Sequence, residues 1–151
     1  MRGRKALGLG LVAVSLATMV GVAVGTTGSG FTVTPVGSAE IANRVGIHQA
    51  PHESTVVATL DFEPGGTTGW HSHPGKTLVL VTAGEFTLYR DKDGACHTRT
   101  YGPGDGFVEK RTSVHMGVNE GTEPVKLVAV FFRVPDDGTT RIDKPDPGVC
   151  S

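Results

Sequence analysis

Apolar and polar residues alternate in short stretches along the chain, and this pattern predicts β-strands. Residues 56–63 read V-V-A-T-L-D-F-E and alternate between two faces, as in a half-buried strand. Residues 77–82 are almost continuously apolar, which is typical of a strand covered on both faces. Ala83 and Gly84 follow as a turn, so residues 85–90 are predicted to complete a hairpin. Further strands are predicted over residues 96–101, 107–108, 114–118 and 125–134.

Glycine and proline separate these segments. The sequence P-G-G at 64–66 is predicted to end the first strand, and G-P-G-D-G at 102–106 predicts a tight turn. Residues 26–55 lack clear periodicity and are interpreted as an N-terminal arm without strands, which would lie over the surface of the folded domain. Residues 135–151 are predicted to form a polar tail. Short strands at even spacing predict one all-β domain over residues 56–134, folded as a sandwich or barrel.

The N-terminal segment has the composition of a secretory signal. Three basic residues at positions 2, 4 and 5 precede an uncharged apolar run over residues 6–24. The small residues Ala23 and Gly25 fit a cleavage site just after Gly25. We therefore expect residues 1–25 to be a signal peptide and the protein to be secreted or extracytoplasmic. The alternative is an uncleaved membrane anchor, because the run is about long enough to span a bilayer.

Composition narrows the function classes. The 151 residues suffice for one core of ordinary size, and 22 Gly with 9 Pro favour strands and tight turns over helices. The formal net charge of -1, without a basic stripe, argues against nucleic acid as a partner. Cys96 and Cys150 both lie in the exported part, where disulfides form, and we expect them to pair and tie the tail back. Two free thiols are the alternative.

The spacing of three histidines points to a metal. His71 and His73 lie two residues apart, a spacing that directs both imidazoles to the same face of an extended strand. Neutral imidazoles suit Fe, Mn, Ni, Zn or Cu. The best candidate for a third ligand is His115, which lies in an apolar stretch where a buried, unpaired histidine would be costly. The pattern predicts a site for one divalent transition metal.

These residues resemble the two signature motifs of the cupin superfamily, whose members are small double-stranded β-helix jelly rolls. The positions that match the spacing of the motifs are Gly65, His71, His73 and Gly84 in the first motif and Gly104, His115 and Asn119 in the second. The resemblance implies a jelly-roll barrel that binds one metal through its three histidines. It also implies a small-molecule ligand or substrate and the possibility of a homodimer.

The sequence departs from the two motifs at three positions. Thr77 stands where the family usually has a glutamate ligand, and Lys110 and Thr112 replace a proline and a glycine of the second motif. By resemblance to three-histidine cupins, some of which are iron oxygenases, the metal would keep its full charge and an open coordination position. Thr77 and Asn119 are expected beside that position, where the Thr77 hydroxyl could hydrogen-bond a bound water or a histidine.

Two function classes follow. The first is an exported metalloenzyme of the oxidoreductase type that performs dioxygenation, or else an isomerase or decarboxylase, on a small oxygen-bearing substrate. The second is a non-catalytic module that holds a small ligand, with or without metal. In the second class the histidines could be vestigial. The fold alone does not choose between them, because this architecture hosts many unrelated functions.

Overall fold

The computed structural model describes residues 25–39, 50 and 52–150, and within them the chain forms strands and no helix. The described part therefore holds no helix with the length and hydropathy to cross a bilayer. The predicted signal segment lies outside it, apart from Gly25. The ten strands are β1 (Ser29–Ala39), β2 (Glu53–Thr67), β3 (His71–Ser72), β4 (Thr77–Ala83), β5 (Phe86–Lys92), β6 (Ala95–Tyr101), β7 (Gly106–Glu109), β8 (His115–Val118), β9 (Val125–Pro135) and β10 (Ile142–Asp143).

All strand pairs are antiparallel and belong to one sheet that curls into a nearly closed barrel. The main path runs β10-β3-β8-β2-β9-β4-β7. Strand β1 adds to β2, and β5 joins β8 to β6. The curling buries one face of each central strand, which explains the alternation along β2 and β9. The all-β jelly-roll barrel expected from the sequence is confirmed.

The connection between β4 and β5 differs from the predicted hairpin, and that prediction is wrong. Strand β4 pairs with β7 and β9, whereas β5 pairs with β6 and β8. Gly84 takes the chain across the barrel with a φ of 72°, and a Cβ there would lie 2.6 Å from the carbonyl oxygen of Pro124. A turn signal fixes a change of direction, but it does not say which strand becomes the neighbour.

Part of the predicted N-terminal arm is also a strand, a second correction to the sequence prediction. Strand β1 pairs along β2 from Phe31 opposite Phe62 to Ala39 opposite Thr55. Its residues are mostly exposed, and the alternation of Phe31, Thr32, Val33 and Thr34 covers only four residues before Pro35, which is too short to identify the strand. Strand β2 continues past its predicted end, because an irregularity in the pairing takes up residues 63–66 before Thr67 pairs again.

The apolar core fills the barrel with aromatic and branched side chains. The ring of Phe62 lies 4.9 Å from Phe31 and 5.1 Å from Phe86, centroid to centroid. The members of this apolar core are Ala58, Phe62, Val79, Val81, Phe86, Leu88, Tyr101, Phe107, Val125, Leu127, Ala129, Phe131 and Val134. Gly117 on β8 is required here, because a Cβ at this position would overlap the ring of Phe86.

The C-terminal tail folds back onto the barrel. The predicted disulfide between Cys96 on β6 and Cys150 is present, with the two Cα atoms 5.1 Å apart. Strand β10 pairs with β3, where Asp143 lies opposite His71. The backbone nitrogen of Lys144 donates to the carbonyl of Trp70 at 2.9 Å. The tail therefore packs directly against the segment that carries the first two histidines.

Candidate metal centre

Three histidines meet inside the barrel, as the motif spacing predicts. His71 on β3 lies opposite His115 on β8, and His73 follows directly after β3. One ring nitrogen of each histidine lies within 4.8 Å of the others, and all three side chains are buried. Pairing of the two strands, together with the two-residue spacing, brings the imidazoles together.

The hydrogen bonds of these imidazoles fix which nitrogen faces inward. The Nδ1 of His71 lies 2.9 Å from the carbonyl of Gly69. That of His73 lies 2.7 Å from the carbonyl of Thr140, and that of His115 lies 2.9 Å from the carbonyl of Ser113. A carbonyl only accepts, so each Nδ1 carries the proton and donates. In the neutral ring this leaves each Nε2 with a lone pair for a metal, the usual arrangement of ligating histidines.

Burial keeps His71 neutral. Desolvation, followed by the neighbouring charges of His115 and His73, lowers the pKa of His71 to about 2. At neutral pH its Nε2 is therefore unprotonated and available as a ligand.

The structure adds a carboxylate that the sequence reasoning missed. Glu109, at the end of β7, is buried, and its Oε2 lies 2.9 Å from the Nε2 of His73. Its Oε1 lies 3.1 Å from the Nε2 of His115. Burial by itself raises the pKa of Glu109, but the adjacent imidazoles of His115 and His73 outweigh it and hold the pKa below its usual range. We call His71, His73, His115 and Glu109 the polar cluster.

A signal for Glu109 was present in the sequence. Along β7 the residues alternate between exposed and buried, with Phe107 inward, Val108 outward and Glu109 inward. A glutamate at the inward position of an apolar barrel strand needs a partner. The predicted strand stopped at Val108, so Glu109 was not assigned to the interior.

Thr77 and Asn119, the two residues expected beside the open position, lie in different surroundings. Thr77 is 1% exposed, lines the same cavity as the histidines, and its Oγ1 has no hydrogen-bond partner in the described chain. The Nδ2 of Asn119 instead donates to the carbonyls of Glu63 at 3.0 Å and Glu123 at 2.9 Å, and its Oδ1 accepts from the backbone of Gly121. Both amide hydrogens of Asn119 are therefore used to link the segments that contain Glu63 and Glu123.

The distances within the polar cluster fit a metal ion. Ligand atoms about 2.1 Å from one ion at right angles lie about 3.0 Å apart. The corresponding distances here are 3.2 Å between the Nε2 atoms of His73 and His115, and 2.9 and 3.1 Å from these to Glu109. Lone pairs this close repel one another unless a proton or a metal cation lies between them. The expectation that a metal here would meet only neutral ligands stays a prediction, and the structure adds to it a carboxylate, that of Glu109, against two of the histidines.

A cavity of about 90 Å³ opens beside the cluster. His71, His73, Thr77 and Glu109 form its polar side, and the partly exposed Arg141 also lines it. The other walls are mostly apolar and include Phe62, Val79, Phe86, Leu127 and Phe131. The cavity can therefore hold a small molecule against the inward-facing Nε2 atoms with most of its surface in apolar contact.

Comparisons with known proteins agree with this architecture. A model of the cupin domain matches residues 58–131. Oxalate oxidase 1 of Hordeum vulgare is 30% identical over 113 residues, which are 70% of this chain and 55% of that protein. Germin-like protein subfamily 2 member 2 of Arabidopsis thaliana is 32% identical over 80 residues, 52% of this chain and 36% of that protein.

Among solved structures, a Bacillus subtilis oxalate decarboxylase studied for its Mn(II) centres has a TM-score of 0.51 at 24% identity. The match covers 59% of this chain and 23% of that one. At this identity the likeness shows the fold. The chain spans between 35% and 55% of the length of the curated relatives that it matches.

Proposed function

The chain belongs to the cupin superfamily, and from that premise we propose that it is an exported, metal-dependent oxidoreductase that acts on a small oxygen-bearing compound. One observation carries the proposal. The three buried histidines His71, His73 and His115 bring one ring nitrogen each within 4.8 Å of the others, and each Nδ1 lies against a backbone carbonyl, so the Nε2 atoms are the ones available to a metal. Such a preorganised set of nitrogen donors is the arrangement that divalent transition metals require.

A divalent metal bound here would supply a Lewis acid that polarises an oxygen atom of the substrate. The three histidines would hold the metal, and the backbone carbonyls behind them keep the rings in place. The apolar walls would exclude water from the reacting atoms. Thr77 lines the cavity, and its hydroxyl, which has no partner in the described part of the chain, can donate a hydrogen bond to a bound oxygen.

The cavity limits the substrate. Two of the relatives are named for oxalate, a compact dianion. The largely apolar walls of this cavity favour a different compound, with one oxygen-bearing group for the metal and a small apolar body. Arg141 is the cation on the lining that could contact an anionic group, although it is already paired with Asp143 at 2.6 Å.

The export of the protein rests on two independent observations. Residues 1–25 have the composition of a secretory signal, and a disulfide such as Cys96–Cys150 is typical of proteins in an oxidising compartment. Sequencing the N-terminus of protein from the culture medium tests this. We expect residue 26 to be the first, whereas the intact N-terminus in the membrane fraction would favour the anchor. The homodimer stays a prediction.

Metal analysis of untagged protein is the first test. After reconstitution with Mn(II), Fe(II), Ni(II), Zn(II) or Cu(II) in turn, at least one metal should bind at close to one ion per chain. Negligible occupancy with every metal would overturn the proposal. The loaded protein should then convert phenolic or diketone compounds with oxygen uptake, and stripping the metal should abolish this. A ligand that binds equally well after stripping, without turnover, would indicate the non-catalytic module instead.

A further inference from the structure

We propose that Glu109 is the fourth protein ligand of this metal, and that it supplies from β7 the carboxylate that the usual cupin motif supplies from the position of Thr77. The inference rests on the proposed metal centre and concerns a residue outside both motifs. Both carboxylate oxygens of Glu109 face inward, one against His73 and one against His115.

The sheet register explains how a residue on another strand reaches this place. Thr77 and Glu109 are directly paired across β4 and β7. Side chains of paired residues in an antiparallel sheet point to the same face, with Cβ atoms about 4.5–5.5 Å apart. A carboxylate on Glu109 can thus enter the volume that a glutamate at 77 would take. The short side chain of Thr77 leaves that volume free, and two carboxylates there would repel each other.

The burial of Glu109 calls for a cation. Its side chain is 7% exposed, and an ionised carboxylate is costly to bury unless a positive charge or a metal compensates it. The imidazoles beside it already donate their Nδ1 protons to backbone carbonyls. They compensate Glu109 only if they gain a second proton, or if a metal takes that proton's place. The second case satisfies three nitrogen lone pairs and the carboxylate with one ion.

Moving the carboxylate to β7 also changes the wall of the cavity. Where a glutamate at 77 would present a charged acceptor, the chain presents the hydroxyl of Thr77, which has no partner among the described residues. The centre therefore keeps the charge of a three-histidine, one-carboxylate site, and a hydrogen-bond donor is added beside it.

Exchanging the two residues provides the test. Affinities for Mn(II) and Zn(II) are measured by competition for the wild type, for Glu109→Gln, and for the double variant Thr77→Glu/Glu109→Thr. We expect Glu109→Gln to weaken binding by about 10- to 100-fold or more, and the double variant to regain most of that loss. Glu85→Gln, at an exposed carboxylate, is the control and should bind as the wild type does.

A second readout separates ligation from a structural role. In the Co(II)-loaded protein, the visible absorption spectrum should change for Glu109→Gln and return toward the wild type in the double variant. If Glu109→Gln fails to fold, Glu109→Asp takes its place and should bind with intermediate affinity. Metal affinity and spectrum unchanged in Glu109→Gln, while His73→Ala loses the metal, would overturn the inference and leave the metal centre intact. A wild type that takes up no metal would overturn both.

Discussion

The apolar core and the polar cluster share one barrel interior and are equally buried, yet they depend on opposite physics. Phe62 and Val125 are at most 1% exposed and are stabilised simply by leaving water. His115 is also 1% exposed, but its Nε2 and the Glu109 carboxylate lose hydration on burial and need a partner in return. Burial of the core thus stabilises the fold. Burial of the cluster is destabilising in the metal-free protein and becomes favourable when a cation is bound.

The contact between the two regions is narrow, so substitutions can separate them. The ring of His73 lies 5.5 Å from that of Phe131, and the other ring contacts of the core are with its own members or with Phe31. Truncation in the core should therefore lower the free energy of unfolding and leave metal affinity nearly unchanged. Truncation in the cluster should weaken metal binding and leave the free energy of unfolding nearly unchanged.

The largest effect on stability is expected for Phe62→Ala. Removing this ring from between Phe31 and Phe86 should lower the free energy of unfolding by about 3–5 kcal/mol, measured by urea denaturation. The control Val36→Ala removes an exposed side chain and should change it by less than about 0.5 kcal/mol. Metal affinity of the folded Phe62→Ala protein should stay within a few-fold of the wild type. A large loss would mean that the core and cluster are one unit.

The opposite outcome, a loss of metal affinity in a folded protein, is expected for His73→Ala. Loss of one nitrogen ligand should weaken metal binding by about 100- to 1000-fold, or about 3–4 kcal/mol, while circular dichroism still reports a folded barrel. His97→Ala, at an exposed histidine on β6, is the matched control and should bind metal normally. Equal affinity in both variants would remove His73 from the centre.

The same difference explains how far the sequence predicts this protein. Apolar periodicity located most strands, and motif spacing located the histidines, because both are local patterns along the chain. The contact of Glu109 with the histidines and the pairing of β4 with β7 and β9 depend on which strands become neighbours, and a single sequence does not encode that locally. Strand β1 was missed for a related reason, since its mostly exposed residues pair with β2 through the backbone and alternate only over residues 31–34.

The disulfide links the stability of the tail to the cluster. In the chain-entropy approximation, closing a loop of this length stabilises by roughly 4 kcal/mol, and about 2–3 kcal/mol is a realistic loss for Cys96→Ser/Cys150→Ser. Because the tail supplies the Thr140 carbonyl that orients His73, metal affinity should also fall several-fold. Unchanged affinity at reduced stability would show that the tail holds His73 without help from the disulfide.

Acid should destabilise the metal-free protein through the cluster. The pKa of His71 is about 2 in the folded chain, against about 6.5 when unfolded. Between these values only the unfolded chain binds the proton, so the free energy of unfolding should fall by about 1 kcal/mol from pH 7 to pH 5.5. The stabilisation from Glu109, with its lowered pKa, is present above pH 4.5 and is lost as the pH falls further.

Denaturation of chelator-treated protein across this range measures the slope, and His71→Asn, which does not titrate, provides the comparison. The variant should show a flatter dependence between pH 7 and pH 5.5. The same slope in wild type and variant would mean that other groups dominate the acid response.

The smallest effect is expected for Thr77→Val. The Thr77 hydroxyl makes no hydrogen bond with the residues that the structure describes, so the nearly isosteric change should alter the free energy of unfolding of the metal-free protein by less than about 1 kcal/mol, in the stabilising direction. The reverse substitution two residues along the same strand, Val79→Thr, places a hydroxyl in the apolar core and should cost about 1–3 kcal/mol. With metal and ligand bound, Thr77→Val should instead weaken ligand binding by about 2- to 10-fold. If Thr77→Val destabilises the metal-free protein as much as Val79→Thr does, the hydroxyl serves the fold and not the ligand.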